Sequence, residues 1–173
     1  MRLPNRLMTA LPLSAAVLLG PGFVAGCQHR RAADGQAITM NDLTPEARAT
    51  LQRELSGAKL GELSRKQDEV HGMVYSAEFE RGTGEVEIEF GPDGLVHGVE
   101  EDIALVDLPQ AVRDAVDREL PTARIVEADK LTRAGVVSYE VEASLRLSQW
   151  DLTLSPDGTV LKKEMVERGA KND

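Results

Sequence analysis

The sequence predicts an α+β fold: two tandem repeats, each a helix packed on a three- to four-stranded antiparallel sheet, with the two sheets able to join into one concave sheet. Three observations predict it. First, a block recurs. Residues 42–62 (DLTPEARATLQRELSGAKLGE) and 107–127 (DLPQAVRDAVDRELPTARIVE) share Asp42/Asp107, Leu43/Leu108, Arg48/Arg113, Arg53/Arg118, Glu54/Glu119, Leu55/Leu120, Ala58/Ala123 and Glu62/Glu127. Unrelated segments of this length share roughly one or two identities. Second, each block carries an apolar stripe at helical spacing. Third, each is followed by runs of strict apolar–polar alternation, which mark strands with one face buried.

The first 26 residues read as a signal peptide. Arg2 and Arg6 precede an uncharged apolar run at 7–20, which Pro21-Gly22 breaks before FVAGC. The run is shorter than the roughly 20 residues needed to span a bilayer. Residues 27–41 lack periodicity and are expected to be a tether, with Arg30 and Arg31 next to anionic headgroups. The first repeat is placed at 42–102, the second at 107–167, and a polar tail at 168–173.

In the first repeat Thr44 suits an N-cap, Pro45 the first helical position and Glu46 the positive helix end. Ala47, Leu51 and Leu55 form the stripe, and Gly57 stops it. In the second, Pro109 opens the helix, Val112, Ala115, Val116 and Leu120 form the stripe, and Pro121 ends it. Strands are expected at 73–80, with Met73, Tyr75, Ala77 and Phe79 inward, and at 85–90, with Val86, Ile88 and Phe90 inward. Their counterparts carry Tyr139, Val141, Ala143 and Leu145, then Trp150, Leu152 and Leu154. The turns Pro92-Asp93-Gly94 and Pro156-Asp157-Gly158 lead to fourth strands near 95–101 and 159–165. Less regular strands near 59–67 and 123–132 precede each hairpin.

Composition excludes several functions. The 173 residues are 42% hydrophobic and 28% charged, with a net charge of −9, so no nucleic-acid partner is expected. Aromatics at 3% are too few for base-stacking platforms. One cysteine excludes an intrachain disulfide and a cysteine zinc cage. No HExxH, Walker A or GxSxG motif is present, so no enzyme, cofactor or metal is expected.

Val24-Ala25-Gly26-Cys27 resembles the bacterial lipobox. The resemblance implies cleavage between Gly26 and Cys27, diacylation of Cys27 and anchoring of the mature chain in a membrane of the cell envelope, where several acyl chains hold stably. Gln28 follows; an Asp there would favour the inner membrane, so the outer membrane is expected, with the protein facing the periplasm.

The run from Leu108-Pro109 through Tyr139-Glu140-Val141 to Asp157-Gly158 resembles the PepSY-like family: a Leu-Pro helix start, a helix ending near a proline, a Tyr-Glu-Val strand and an Asp-Gly turn. Residues 42–102 match more loosely. The family occurs in bacterial envelope and secreted proteins and in protease propeptides. The resemblance implies a non-enzymatic module that docks or inhibits a protein partner, such as a peptidase. It extends to the two-repeat β-lactamase inhibitor protein, but the chain lacks that inhibitor's disulfides and aromatic-rich face. The alternative is a structural or accessory lipoprotein of a larger envelope assembly.

Alternation gathers acids on the outward sheet face: Glu78, Glu80, Glu85, Glu87 and Glu89 in the first repeat, Glu140, Glu142 and Asp151 in the second. This face is the candidate partner-binding surface, suited to a basic envelope protein, or a weak divalent-cation surface. It could also be a solvated face, neutralised by Lys59, Arg65, Lys66, Lys130, Lys162 and Lys163, that resists edge aggregation. His71, at a turn, and His97 lack a third metal ligand and read as surface residues.

Overall fold

The alternating runs become strands that each pair with their neighbours in sequence. The computed structural model describes residues 35–166. Its strands are β1 (Gln36–Ala37), β2 (Leu60–Asp68), β3 (Gly72–Arg81), β4 (Gly84–Phe90), β5 (Val96–Asp102), β6 (Arg124–Arg133), β7 (Val136–Leu145), β8 (Ser148–Leu154) and β9 (Val160–Val166). They form one nine-stranded antiparallel sheet in the order β1 to β9. Two short helices, α1 (Pro45–Leu55) and α2 (Gln110–Glu119), interrupt the meander.

The protein is therefore mainly β, which corrects the expectation of an α+β fold with two helix-on-sheet repeats. The finding that overturns it is the ladder between β5 and β6, which runs from Gly98 opposite Arg133 to Asp102 opposite Asp129. Two separate sheets would have left the edges of β5 and β6 as rows of unpaired N–H and C=O groups. Pairing satisfies both.

The helices form where the capping residues allow. Thr44 accepts a hydrogen bond from the Ala47 amide, and Ser56 closes α1 in the left-handed conformation. Ala47 and Leu51 pack with Tyr75, Ala77, Phe79, Val86, Ile88 and Phe90, while Leu55 is only partly buried. Val112, Ala115, Val116 and Leu120 pack with Ala128, Val141, Ala143, Leu152 and Leu154. Residues opposed in a ladder share a face, and the register runs from Ile88 through Val99 to Thr132 and Val137. Both helices therefore cover the same face, and the other is free of helices.

α1 is hydrogen-bonded to the turn between β4 and β5, and α2 lies against the turn between β8 and β9. Thr44 Oγ1 donates to the Pro92 carbonyl and Thr50 Oγ1 to that of Gly94. Gly94 (φ 79°) and Gly158 (φ 83°) lie in the left-handed region, and a Cβ on Gly158 would run into the Ala111 carbonyl. Glycine is required there by both backbone and space.

Part of the expected tether is structured. Gln36 and Ala37 pair with Arg65 and Ser64, and Met40–Asp42 form a 3₁₀ turn capped by Thr39. The expected signal peptide, Gly26, Cys27 and the tail at 168–173 lie outside the described residues. Among the described residues no helix is long and apolar enough to cross a membrane.

Candidate functional site

The helix-free face carries carboxylates in rows that cross the strands. Glu80 opposes Glu85, and Glu78 opposes Glu87, which opposes Glu100. Asp102 opposes Asp129, which opposes Glu140. Glu127, Glu142, Asp151 and Glu164 form a further row. All eight sheet acids expected from alternation thus lie on one face. The structure adds Glu100, Asp102, Glu127, Asp129 and Glu164, which the sequence reading left out. Their alternate spacing in β5, β6 and β9 is compatible with one shared face, but polar residues on both faces of β5 and β6 hide it in the sequence.

The charge concentrates where β4, β5 and β6 meet. Carboxylate oxygens of Asp102, Glu127 and Asp129 lie within 4.8 Å of one another. The Glu85 amide donates to Asp102 Oδ2 at 3.1 Å. Burial, a hydrogen bond with Asp102 and the charges of Glu100, Asp102 and Glu127 push the Asp129 carboxyl up to about 8. Near neutral pH the Asp129 carboxyl therefore favours its protonated form, hydrogen-bonded to Asp102. Glu85 is also raised, first by burial and then by Asp102, Glu87, Glu62 and Glu80. Beside this cluster runs a shallow groove of about 340 Å³. Its walls are Gly84, Ile103, Ala104, Leu105 and Val126, with Asp102 and Glu127 at its side.

The expected neutralising cations divide between the two faces. Lys66 opposes Val74 on the acidic face and pairs with Glu89 at 2.5 Å, which raises the Lys66 pKa. Arg133 approaches Glu89 from the other side at 3.6 Å. Lys130 and Lys163 instead sit on the helix side, where they hold Glu101 and Glu119. Their odd or even place in the strand decides this: Lys130 opposes Tyr139 and Lys163 opposes Leu152, both on the helix-covered face. Glu87 accepts from Ser76 Oγ at 2.6 Å. Glu87 and Glu89 are thus held in place, whereas Glu80 and Glu85 stand exposed.

His71 and His97 are brought together, which the sequence did not suggest. Their rings stack with centroids 4.0 Å apart, and His71 Nδ1 lies 3.1 Å from Asp68 Oδ1. Among the described residues the acidic trio, not this pair, is where three metal-ligating side chains converge.

No protein-family model matches this sequence, and no curated protein matches it. The fold is similar to that of solved bacterial proteins. A candidate periplasmic protein from Bacteroides eggerthii superposes with a TM-score of 0.59 at 16% identity, over 72% of this chain and 89% of that one. A DUF2874 family protein from Bacteroides ovatus gives 0.58 at 18% identity, over 72% and 89%. A BLIP-like protein from Bacteroides fragilis gives 0.56 at 17% identity, over 76% and 92%. The chain thus has a BLIP-like fold, and at these identities the likeness is one of fold alone.

Proposed function

We propose that the chain is a non-enzymatic lipoprotein of the bacterial cell envelope, a PepSY-like binding module whose acidic sheet face docks a protein with a basic contact surface. The observation that carries this reading is the opposition of acids across strands, Glu80 to Glu85 and Glu78 to Glu87. Like charges directly opposed cost up to about 1 kcal/mol per pair, and a basic partner removes that cost. The lipobox-like Val24–Cys27 supports a lipid anchor, with Gln28 favouring the outer membrane. The fold shared with a candidate periplasmic protein is in keeping with that location.

The test is a pull-down from detergent-solubilised envelope with the wild type and with Glu80→Lys/Glu85→Lys, whose altered side chains are exposed. The reading expects a stoichiometric basic partner, such as a peptidase, that the wild type holds at low salt and the double variant loses. Exposed charges are screened beyond about one Debye length, so roughly 0.5 M salt should release it too. Equal capture by both proteins at high salt would exclude the acidic face as the docking surface. Recovery of a multi-protein complex instead would favour an accessory role in a larger assembly.

The convergence of Asp102, Glu127 and Asp129 favours a second reading, a weak site for a hard divalent cation. Calcium would then raise the melting temperature saturably in the wild type and not in Asp129→Asn.

A further inference from the structure

We infer that the outer edge of β9 pairs with the same edge of a second copy of this chain, antiparallel and centred on Lys163. β9 ends the strand order, and among the described residues no strand pairs with its outer side. It is seven residues long and carries two exposed apolar side chains, Leu161 and Met165.

The sequence of β9 complements itself. With Lys163 on the two-fold axis, Lys162 faces Glu164 of the second copy, and Leu161, at the bulge between Val160 and Lys162, comes beside Met165. Opposite charges and apolar pairs directly across a ladder are each favourable. Sliding the register by two residues in one direction sets Lys162 against Lys162, and in the other direction Glu164 against Glu164, so charge selects the central register. The two Lys163 side chains would meet on the helix side, but each is already held. Its Nζ lies 3.1 Å from Glu119 Oε2 and 5.3 Å from the centre of the Trp150 ring. Lysines on an edge strand ordinarily oppose pairing; here one meets a glutamate across the axis and the other is neutralised within its own chain. Opposed residues share a face, so the dimer would set both pairs of helices on one side and run the acidic face unbroken across two copies.

Analytical ultracentrifugation of the full chain at about 0.15 M salt, within one Debye length of roughly 8 Å, tests this. The wild type is expected to dimerise. Lys162→Glu alone and Glu164→Lys alone should each weaken the dimer roughly tenfold, because two attractive pairs become repulsive. An equimolar mixture of the two variants should recover it, since every 162–164 contact between unlike copies is then attractive. The Lys162–Glu164 ion pair within one chain, at 2.8 Å, cannot produce that recovery, because each variant has lost it. Met165→Lys, at another exposed position, should weaken the dimer as well. A wild type that stays monomeric up to about 1 mM would overturn the inference. So would variants that dimerise like the wild type, or a mixture that stays monomeric.

Discussion

Asp102 and Asp129 oppose one another across the β5–β6 ladder, and burial with the hydrogen bond between them raises the Asp129 carboxyl to about 8. The pair exists only because the strand that ends one half of the sheet joins the strand that begins the other. It sets two carboxyl groups side by side at the middle of the helix-free face.

Asp129→Asn should flatten the pH dependence of stability. The carboxyl ionises near 3.8 when unfolded and near 8 when folded. Between these values the folded state binds more protons, so wild-type stability falls as pH rises from about 4 to about 8 and levels off above. The full shift corresponds to at most about 6 kcal/mol, which solvent at the partly exposed pair screens to a few kcal/mol, and the variant should not show the loss. Urea denaturation at several pH values measures this, and a wild-type stability that rises through the window relative to the variant would contradict it.

Glu85→Lys and Glu89→Lys should act in opposite directions. The Glu85 pKa is raised first by partial burial and then by Asp102, Glu87, Glu62 and Glu80, so reversal relieves repulsion and should raise stability by about 0.5 kcal/mol. Glu89 lies between Lys66 and Arg133, so reversal sets three cations together and should cost about 1–3 kcal/mol. Denaturant midpoints for the two variants separate these outcomes.

Gly158→Ala should destabilise by more than about 2 kcal/mol. The left-handed backbone penalises alanine, and the added methyl meets the Ala111 carbonyl of α2. Gly57→Ala is the control: its φ is also positive, but nothing lies within 4 Å, so only the smaller backbone cost of about 1 kcal/mol is expected. Thermal melts of the two variants compare them.

Leu51→Ala should cost about 2–5 kcal/mol, because Leu51 is fully buried. Leu55→Ala should cost about half as much, since Leu55 only flanks that cluster. Equal costs in chemical denaturation would show that α1 packs differently.

Cys27→Ser should abolish acyl labelling and leave the chain uncleaved or soluble. Metabolic labelling with a fatty acid and membrane fractionation check it. A variant that is processed and sediments with membranes like the wild type would rule out the anchor.

The strands were legible wherever one face is apolar: Val86, Ile88 and Phe90, or Val141 and Ala143, alternate with polar residues and lie in the core. Helix starts were legible from Thr44-Pro45 and Pro109. The join was not, because the helix-side positions of β5 and β6 include Glu101, Lys130 and Thr132, which are polar and break the apolar alternation. The site inherits that gap. Alternation places Glu85 and Glu87 outward, but the opposition of Asp102 and Asp129 depends on which strands pair. That is set by the closing of edges between segments separated by α2.

The succession of neighbours from β1 to β9 has a kinetic consequence. Contacts between adjacent segments of chain close short loops, so little chain entropy is lost before each new ladder is rewarded. The polypeptide can zip hairpin by hairpin, with helices arriving between strands that are already neighbours. For its size and β content it should fold quickly and pass few long-lived intermediates.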